Sequence, residues 1–367
     1  MPQPRKSLYV LTPVIALVIS LLLVELLLTL FYPSPFSMET NMYFEPDPHM
    51  GYRIKPYSVG SYYNDIDANA SSQGLRDREF PLKREAGVTR VMVLGDSFTV
   101  GANVEAEDAY AKQLEAILTA ESDARVEVIN TGVGGWSPYQ YAEYYEHYGR
   151  AFDPDLVIVG LFVGNDTYVN RFAFEDTLTA VRGRRISRAA AAKPLTRLKV
   201  LLYKNSHMAR LVLNIGVATN EDFTRQSCDD FIKNYFYVQE SRLPNHRLRT
   251  SKTDELARRN IGELAHIKGM TDADGDRLLV VIIPDENQIN KKLQEQLIPP
   301  AEMSQYDFSL PQSLLTQLMS EQGIEYLDLQ NDFLSDPRCL YMNDTHWTPE
   351  GHRLAAEKIA EKLKLSL

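Results

Sequence analysis

Two cysteines in 367 residues, Cys228 and Cys339, are too few for a disulfide-built scaffold and stand in no metal-ligand spacing; a single bridge between them stays open. Positive charge is also in short supply. The chain has 39 Lys and Arg against 49 Asp and Glu, a formal net charge of −10, which argues against nucleic acid as a general partner. A calcium loop is missing where one first suggests itself. Asp272-Ala-Asp-Gly-Asp276 is followed by Arg277 and Ile283 where an EF-hand needs glycine and glutamate, so it reads as a polar turn before a strand.

Charge is nearly absent from Leu8 to Phe31, where Glu25 is the only charged residue, and Arg5 and Lys6 stand just before the run. At about 1.5 Å per residue the run spans about 36 Å, against about 30 Å for a bilayer core. No A-x-A cleavage pattern follows it, only Tyr32-Pro33-Ser34-Pro35-Phe36. The stretch therefore reads as an uncleaved signal anchor, with a cytoplasmic N-terminus and the remainder periplasmic or extracellular. Glu25 is costly inside such a span; its place near the outer end favours a reach to the interface over pairing with a partner helix. Residues 1–35 are thus the cytoplasmic tip and transmembrane anchor. Residues 36–89, rich in Pro, Tyr, Asn, Asp and Ser, form an extended connecting segment in which Gly51-Tyr-Arg-Ile54 and Val59 to Tyr63 suggest short strands.

From residue 90 to 367, apolar runs of strand length alternate with helical periodicity. Strands are expected at Val91–Leu94, Val126–Ile129, Leu156–Val163, Leu278–Ile283 and Ile324–Leu327. Helices are expected over Ala109–Ala120, Pro138–Tyr148, Asp254–Met270, Pro311–Glu321 and Glu350–Leu363, the last started by Thr348-Pro349. Strands separated by helices imply an α/β fold with a five-stranded parallel sheet covered on both sides. Residues 167–250 interrupt the alternation as a helical insertion. Its stretch Arg182–Arg210 is rich in Lys, Arg and Leu and lacks Asp and Glu. That composition suits a plain packed helix, a membrane-surface helix, or a lid whose basic residues face an acidic glycan.

Four short blocks sit at predicted strand ends, where open α/β sheets place ligands: Gly95-Asp96-Ser97, Asn130-Thr-Gly-Val-Gly-Gly135, Val163-Gly-Asn165-Asp166 and Asn343-Asp344-Thr345-His346-Trp347. Alone, the first reads equally well as a turn and helix cap or as a nucleophile. Together, over roughly residues 88 to 362, they resemble the SGNH (GDSL) hydrolase superfamily. The resemblance implies a flavodoxin-like strand order and a role for each block. Ser97 would be the nucleophile, His346 the base and Asp344 its orienting carboxylate. The Ser97 N–H, the Gly135 N–H and the Asn165 amide would hold the oxyanion. Asp96 and Asp166 would brace their loops. Two departures stand out: Val163 replaces the family glycine, and the aspartate lies two residues before the histidine, with Asn343 in the usual third place. The Asp-x-His-Trp arrangement is similar to the alginate O-acetyltransferase branch and related sugar O-acetylation proteins. His352 reads as structural. A metal site built from His346, Glu350 and His352 lacks a further strong ligand, so neither metal nor cofactor is expected. Gly74-Leu-Arg76-Asp77 reads as a docking turn. The resulting expectation is a membrane-anchored ester hydrolase acting on O-acyl esters, with O-acylated cell-envelope polysaccharide as the implied substrate context. A polysaccharide O-acetyltransferase using the same triad is the alternative, and an inactive tethered glycan-binding scaffold is the rival from another class.

Overall fold

In a computed structural model the described residues are 6–31, 43–60, 66–121, 125–164, 177–181, 184–187, 193–214, 226–227, 231 and 233–364. By internal contacts the chain divides into two units, residues 1–42 with 173–218, and residues 43–172 with 219–367.

The larger unit begins with an antiparallel pair, β1 (Phe44–Asp47) and β2 (Gly51–Ile54), so the connecting segment does hold a strand at Gly51-Tyr-Arg-Ile54. Residues 59 and 60 are not in a strand, and residues 61–63 lie outside the described set. The main sheet is built from β3 (Val88–Leu94), β4 (Arg125–Asn130), β5 (Leu156–Phe162), β8 (Arg277–Ile283) and β9 (Glu325–Asp328). Every pairing is parallel and the order is β4-β3-β5-β8-β9, the flavodoxin-like order with the first strand second in the sheet. All seven residues of β5 are buried, as a strand covered on both faces requires.

The helices of this unit, numbered through the whole chain, are α2 (Ser97–Val100), α3 (Tyr110–Glu121), α4 (Pro138–His147), α7 (Lys233–Arg242), α8 (Ser251–Asp274), α9 (Glu286–Ile289), α10 (Lys291–Leu297), α11 (Leu310–Glu321), α12 (Gln330–Ser335) and α13 (Pro349–Lys364). Val91 and Val93 of β3 join one core cluster with Tyr110, Leu114, Leu354 and Ile359 of α3 and α13. Met92, on the opposite side of the pleat, packs toward Gly149, just past the end of α4. Helix α8 packs on α4 and α11. Asp272–Asp274 form the last turn of α8, and Gly275 ends it in the left-handed region at φ 85° before Arg277 opens β8. The acidic turn is a helix cap.

The connecting segment is tied down by buried arginines. Arg76, in the Gly74-Leu-Arg76-Asp77 turn, donates to the carbonyls of Asp67, Val100, Gly101 and Val104. Arg90 is fully buried on Glu127 and on the carbonyls of Pro81, Leu82 and Phe152.

The smaller unit holds α1 (Lys6–Phe31), a ribbon of β6 (Thr177–Val181) and β7 (Arg184–Ser187), α5 (Pro194–Asn205) and α6 (His207–Asn214). The insertion is therefore not helical throughout. Residues 13–31 of α1 are long and apolar enough to cross a bilayer. The preferred expectation for Glu25 needs correcting. Its carboxylate does have a partner helix: it accepts the Ser206 hydroxyl at 2.7 Å and the backbone N–H groups of His207 and Met208, and so caps the start of α6.

Candidate active site

The C-terminal ends of β3, β4 and β5 deliver the first three blocks to one edge of the sheet. At β3, Gly95 and Asp96 turn the chain into the four-residue helix α2, whose first residue is Ser97. Asp96 is buried and caps that helix, accepting the Phe98 N–H at 2.9 Å. Only glycine fits before it, because a Cβ on Gly95 would stand 1.9 Å from Thr99 Oγ1. Ser97 is half-buried, and neither its hydroxyl nor its N–H has a hydrogen-bond partner among the described residues.

The glycine loop after β4 lies against α2. The Val133 N–H donates to the Gly95 carbonyl at 3.1 Å, and Asn130 Nδ2 donates to the Thr99 carbonyl at 2.8 Å. A Cβ on Gly134 would meet Ser97 Cβ at 3.9 Å, so Gly134 is the loop glycine whose α-carbon faces the serine side chain. Gly135, next in line, takes φ 80° in the left-handed region, where glycine alone is unstrained. Neither glycine N–H is taken up by an acceptor among the described residues. Asn165 and Asp166 lie outside the described residues, which stop at Gly164 in that loop.

The fourth block closes on itself. His346 Nδ1 lies 2.7 Å from Asp344 Oδ2, and the His346 backbone N–H donates to Asp344 Oδ1 at 3.1 Å. With the carboxylate on Nδ1, that nitrogen is the protonated one and Nε2 is left as an acceptor. Thr345 makes the short Asp-x-His spacing workable. Its φ of 78° puts a β-branched residue in the left-handed region, folding the chain back between the two side chains. The imidazole rests against the ring of Phe98, the residue after Ser97, at 5.2 Å between centroids. Phe98 in turn meets Trp347 and Phe162. Serine block, histidine block and the end of β5 thus share one aromatic cluster.

Several residues at this site gave no sign in the sequence. Asn103, on the loop that Arg76 holds, donates its amide to Asp344 Oδ2. Arg242, at the end of α7, donates to Thr345 Oγ1 at 3.0 Å, lies over the Phe162 ring and pairs with Asp285 Oδ1 at 3.4 Å. Asp285 is fully buried beyond β8, also facing His246 and Asn287; Arg242 and these hydrogen bonds hold its carboxyl below the usual range against the opposing pull of burial. Its neighbour Glu286 accepts from Ser227 and Asn290, and burial pushes it up to about 7. His352 is fully buried and accepts the Tyr110 N–H; burial, with His346 and Arg76 nearby, drives it down to about 3. It is a neutral packing residue, as expected. Cys339 is disulfide-bonded, and the only other cysteine, Cys228, lies outside the described residues.

Residues 236–367 match the family described as SGNH hydrolase-like domain, acetyltransferase AlgX; the matched region includes Arg242, Asp344 and His346 and excludes Ser97. No curated protein matches the chain in sequence. Among solved structures, an acetyl xylan esterase, AlAXEase, is 14% identical, with 75% of this chain and 99% of that one covered, at a TM-score of 0.40. LAE5, an alpha/beta hydrolase from the metagenome of Lake Arreo, Spain, is 12% identical, covering 74% and 94%, at 0.39. A two-domain esterase, CEX, active on acetylated mannans, is 13% identical, covering 76% of this chain and 50% of that one, at 0.41. Residues 236–367 thus resemble the AlgX acetyltransferase kind of SGNH hydrolase-like domain, in a chain whose five-stranded parallel sheet takes the flavodoxin-like order.

Proposed function

We propose that the chain is a serine-dependent acyl-ester enzyme working through an acyl-enzyme, with Ser97, Asp344 and His346 as its triad. The observation that carries this is the Asp344–His346 hydrogen bond at 2.7 Å, set beside a serine whose hydroxyl is unengaged among the described residues. His346 Nε2 takes the proton as Ser97 Oγ attacks the ester carbonyl, and Asp344 stabilises the imidazolium that forms. The Ser97 N–H, the Gly135 N–H and the Asn165 amide receive the developing oxyanion. On collapse, His346 gives its proton to the leaving alkoxide and the acyl group stays on Ser97. A hydroxyl compound then attacks the acyl-enzyme with His346 again as base. Water gives hydrolysis; a sugar hydroxyl gives O-acyl transfer. The family match, and the resemblance of the Asp-x-His-Trp block to the alginate O-acetyltransferase branch, favour the second acceptor, on cell-envelope polysaccharide.

In this reading residues 1–35 are a single-pass anchor with the N-terminus cytoplasmic, 36–89 connect, and 90–367 work outside the cytoplasm. The disulfide at Cys339 suits an oxidising compartment. In the insertion, α5 leaves Leu195, Leu198, Leu201 and Leu202 exposed among basic residues, which suits a helix lying on an anionic bilayer surface.

The deciding experiment follows acetate release and acetyl transfer by the full-length chain in detergent, from an acetyl-ester donor, with and without an oligosaccharide acceptor, beside Ser97→Ala. Serine-dependent acetylated oligosaccharide establishes the transferase. Serine-dependent free acetate, indifferent to acceptor, establishes the esterase. Activity retained in Ser97→Ala, or no fluorophosphonate labelling of Ser97 in the folded wild type, would remove the triad reading.

A further inference from the structure

We propose that His49, Glu143 and His147 form a binding site for a divalent transition-metal ion, zinc above all, joining the β1–β2 turn to α4. One potential ligand atom from each residue lies within 4.8 Å of the others. Glu143 Oε2 stands 3.8 Å from His49 Nδ1 and 3.5 Å from His147 Nε2. Tetrahedral zinc with ligand bonds of about 2.0–2.1 Å sets neighbouring ligand atoms about 3.3 Å apart, so both carboxylate–imidazole separations stand within about 0.5 Å of coordination spacing, and rotation of the two imidazoles closes the rest. The two imidazoles are stacked, with centroids 3.5 Å apart, so one ring turns out of the stack for both in-plane lone pairs to meet on the ion.

Glu143 and His147 are four residues apart on α4 and therefore share a face. The third ligand is held by that same helix. Asp47 accepts the N–H groups of His49 and Met50, while Tyr148, just past the end of α4, donates its hydroxyl to the other Asp47 oxygen at 2.8 Å. Tyr139 of α4 donates to the His49 carbonyl at 3.2 Å. The backbone of His49 is thus fixed against the helix before any ion arrives, which is what a preorganised site needs. Two imidazoles and one carboxylate suit zinc and leave a fourth position for water; calcium and magnesium prefer oxygen ligands. All three side chains are 26–39% exposed, so an ion enters directly from solvent.

The same hairpin supports the glycine loop. Tyr52 of β2 donates its hydroxyl to the Gly134 carbonyl at 2.8 Å and accepts the Trp136 indole N–H on its own carbonyl at 3.0 Å. An ion at His49 would therefore steady the strand that buttresses the loop facing Ser97. That consequence for catalysis rests on the serine reading above; the metal site does not.

The test is a zinc titration of the metal-stripped full-length chain in detergent at pH 7.5, against a chromophoric chelator, with melting temperature followed in parallel. The expected result is one equivalent bound with a Kd at or below about 1 µM, and a rise in Tm under saturating zinc. Affinity should fall at least about tenfold in both His147→Ala and Glu143→Gln. Because His147 is exposed, the variant keeps the fold, and its metal-free Tm checks that. Cobalt in place of zinc should give the visible absorption of a tetrahedral site in the wild type alone. Zinc held only above about 100 µM, or held equally by both variants, overturns the proposal and leaves a surface histidine pair only. Neither readout involves activity, so failure here is separate from failure of the triad.

Discussion

At the scale of single residues, the site depends on how Asp344 is occupied. Its two oxygens receive the His346 ring, the His346 N–H and the Asn103 amide. Asp344→Asn keeps the shape but places an amide where Nδ1 needs an acceptor, so the wrong tautomer is favoured. The rate of Ser97 acylation, followed with a chromogenic acetyl ester, should fall by about 10³–10⁴. Asn103→Ala should lower it less, leaving His346 bonded and Asp344 short of one donor. Thr345 offers a cleaner comparison. Thr345→Gly and Thr345→Val both lose the hydroxyl that Arg242 reaches, and only glycine accepts φ 78° without strain. Relief of about 1–2 kcal/mol, against about 0.5–1 kcal/mol for glycine's extra unfolded-state freedom, should leave the glycine variant more stable by up to about 1.5 kcal/mol in denaturant melts. A valine variant that is the more stable would mean the surroundings, and not Thr345 itself, carry the turn. The pairing of Asp344 with His346 was legible because the two are neighbours in sequence. Asn103, Arg242 and Asp285 were not, since each arrives through tertiary folding from a stretch without periodicity or motif. The strained φ of Thr345 has no counterpart in residue type at all.

Elements carry the next set of expectations. Helix α2 is four residues long and survives by its Asp96 cap and its contact with the glycine loop. Gly95→Ala would drive a methyl into Thr99 Oγ1, so α2 has to shift and the variant should lose several degrees of Tm and nearly all Ser97 labelling. In the smaller unit, Glu25→Ala removes the only carboxylate seen capping α6, a loss of about 1–2 kcal/mol of local stability. Amide exchange at His207 and Met208 should speed up in the full-length chain, and unchanged exchange would show that the cap does not hold α6 in solution. The five sheet strands and five of the helices were legible within a few residues, because strand-length apolar runs and amphipathic periodicity are local signals. Helices α2, α9, α10 and α12 were missed: they are four to seven residues long and are fixed by what they pack on. The β6–β7 ribbon was missed because it lies in residues 167–250, read as a helical insertion.

At the scale of the whole molecule, two buried groups shape stability against pH. Glu286 is raised from 4.5 to about 7 when folded, so its favourable contribution is complete below about pH 4.5 and is lost as pH rises toward 7. His352 is lowered from 6.5 to about 3, so its contribution is complete above about pH 6.5 and is lost as pH falls toward 3. Between pH 4.5 and 6.5 the two slopes oppose, so this pair gives a plateau there and a decline on either side. Glu286→Gln should remove the alkaline decline, gaining up to about 3 kcal/mol over wild type at pH 8 relative to pH 4. Chemical denaturation at the two pH values checks it, and an equal difference at both would show that Glu286 titrates normally. The cap on α6 has a consequence in time as well as in energy. Glu25 and its partners at Ser206, His207 and Met208 are separated by 181 to 183 residues of sequence. A ribosome adding roughly 5–20 residues per second makes the carboxylate about 10–35 s before the groups that satisfy it. During synthesis α1 therefore passes through an interval in which Glu25 must be met by groups other than those of α6, and delays in translating residues 26–206 lengthen it.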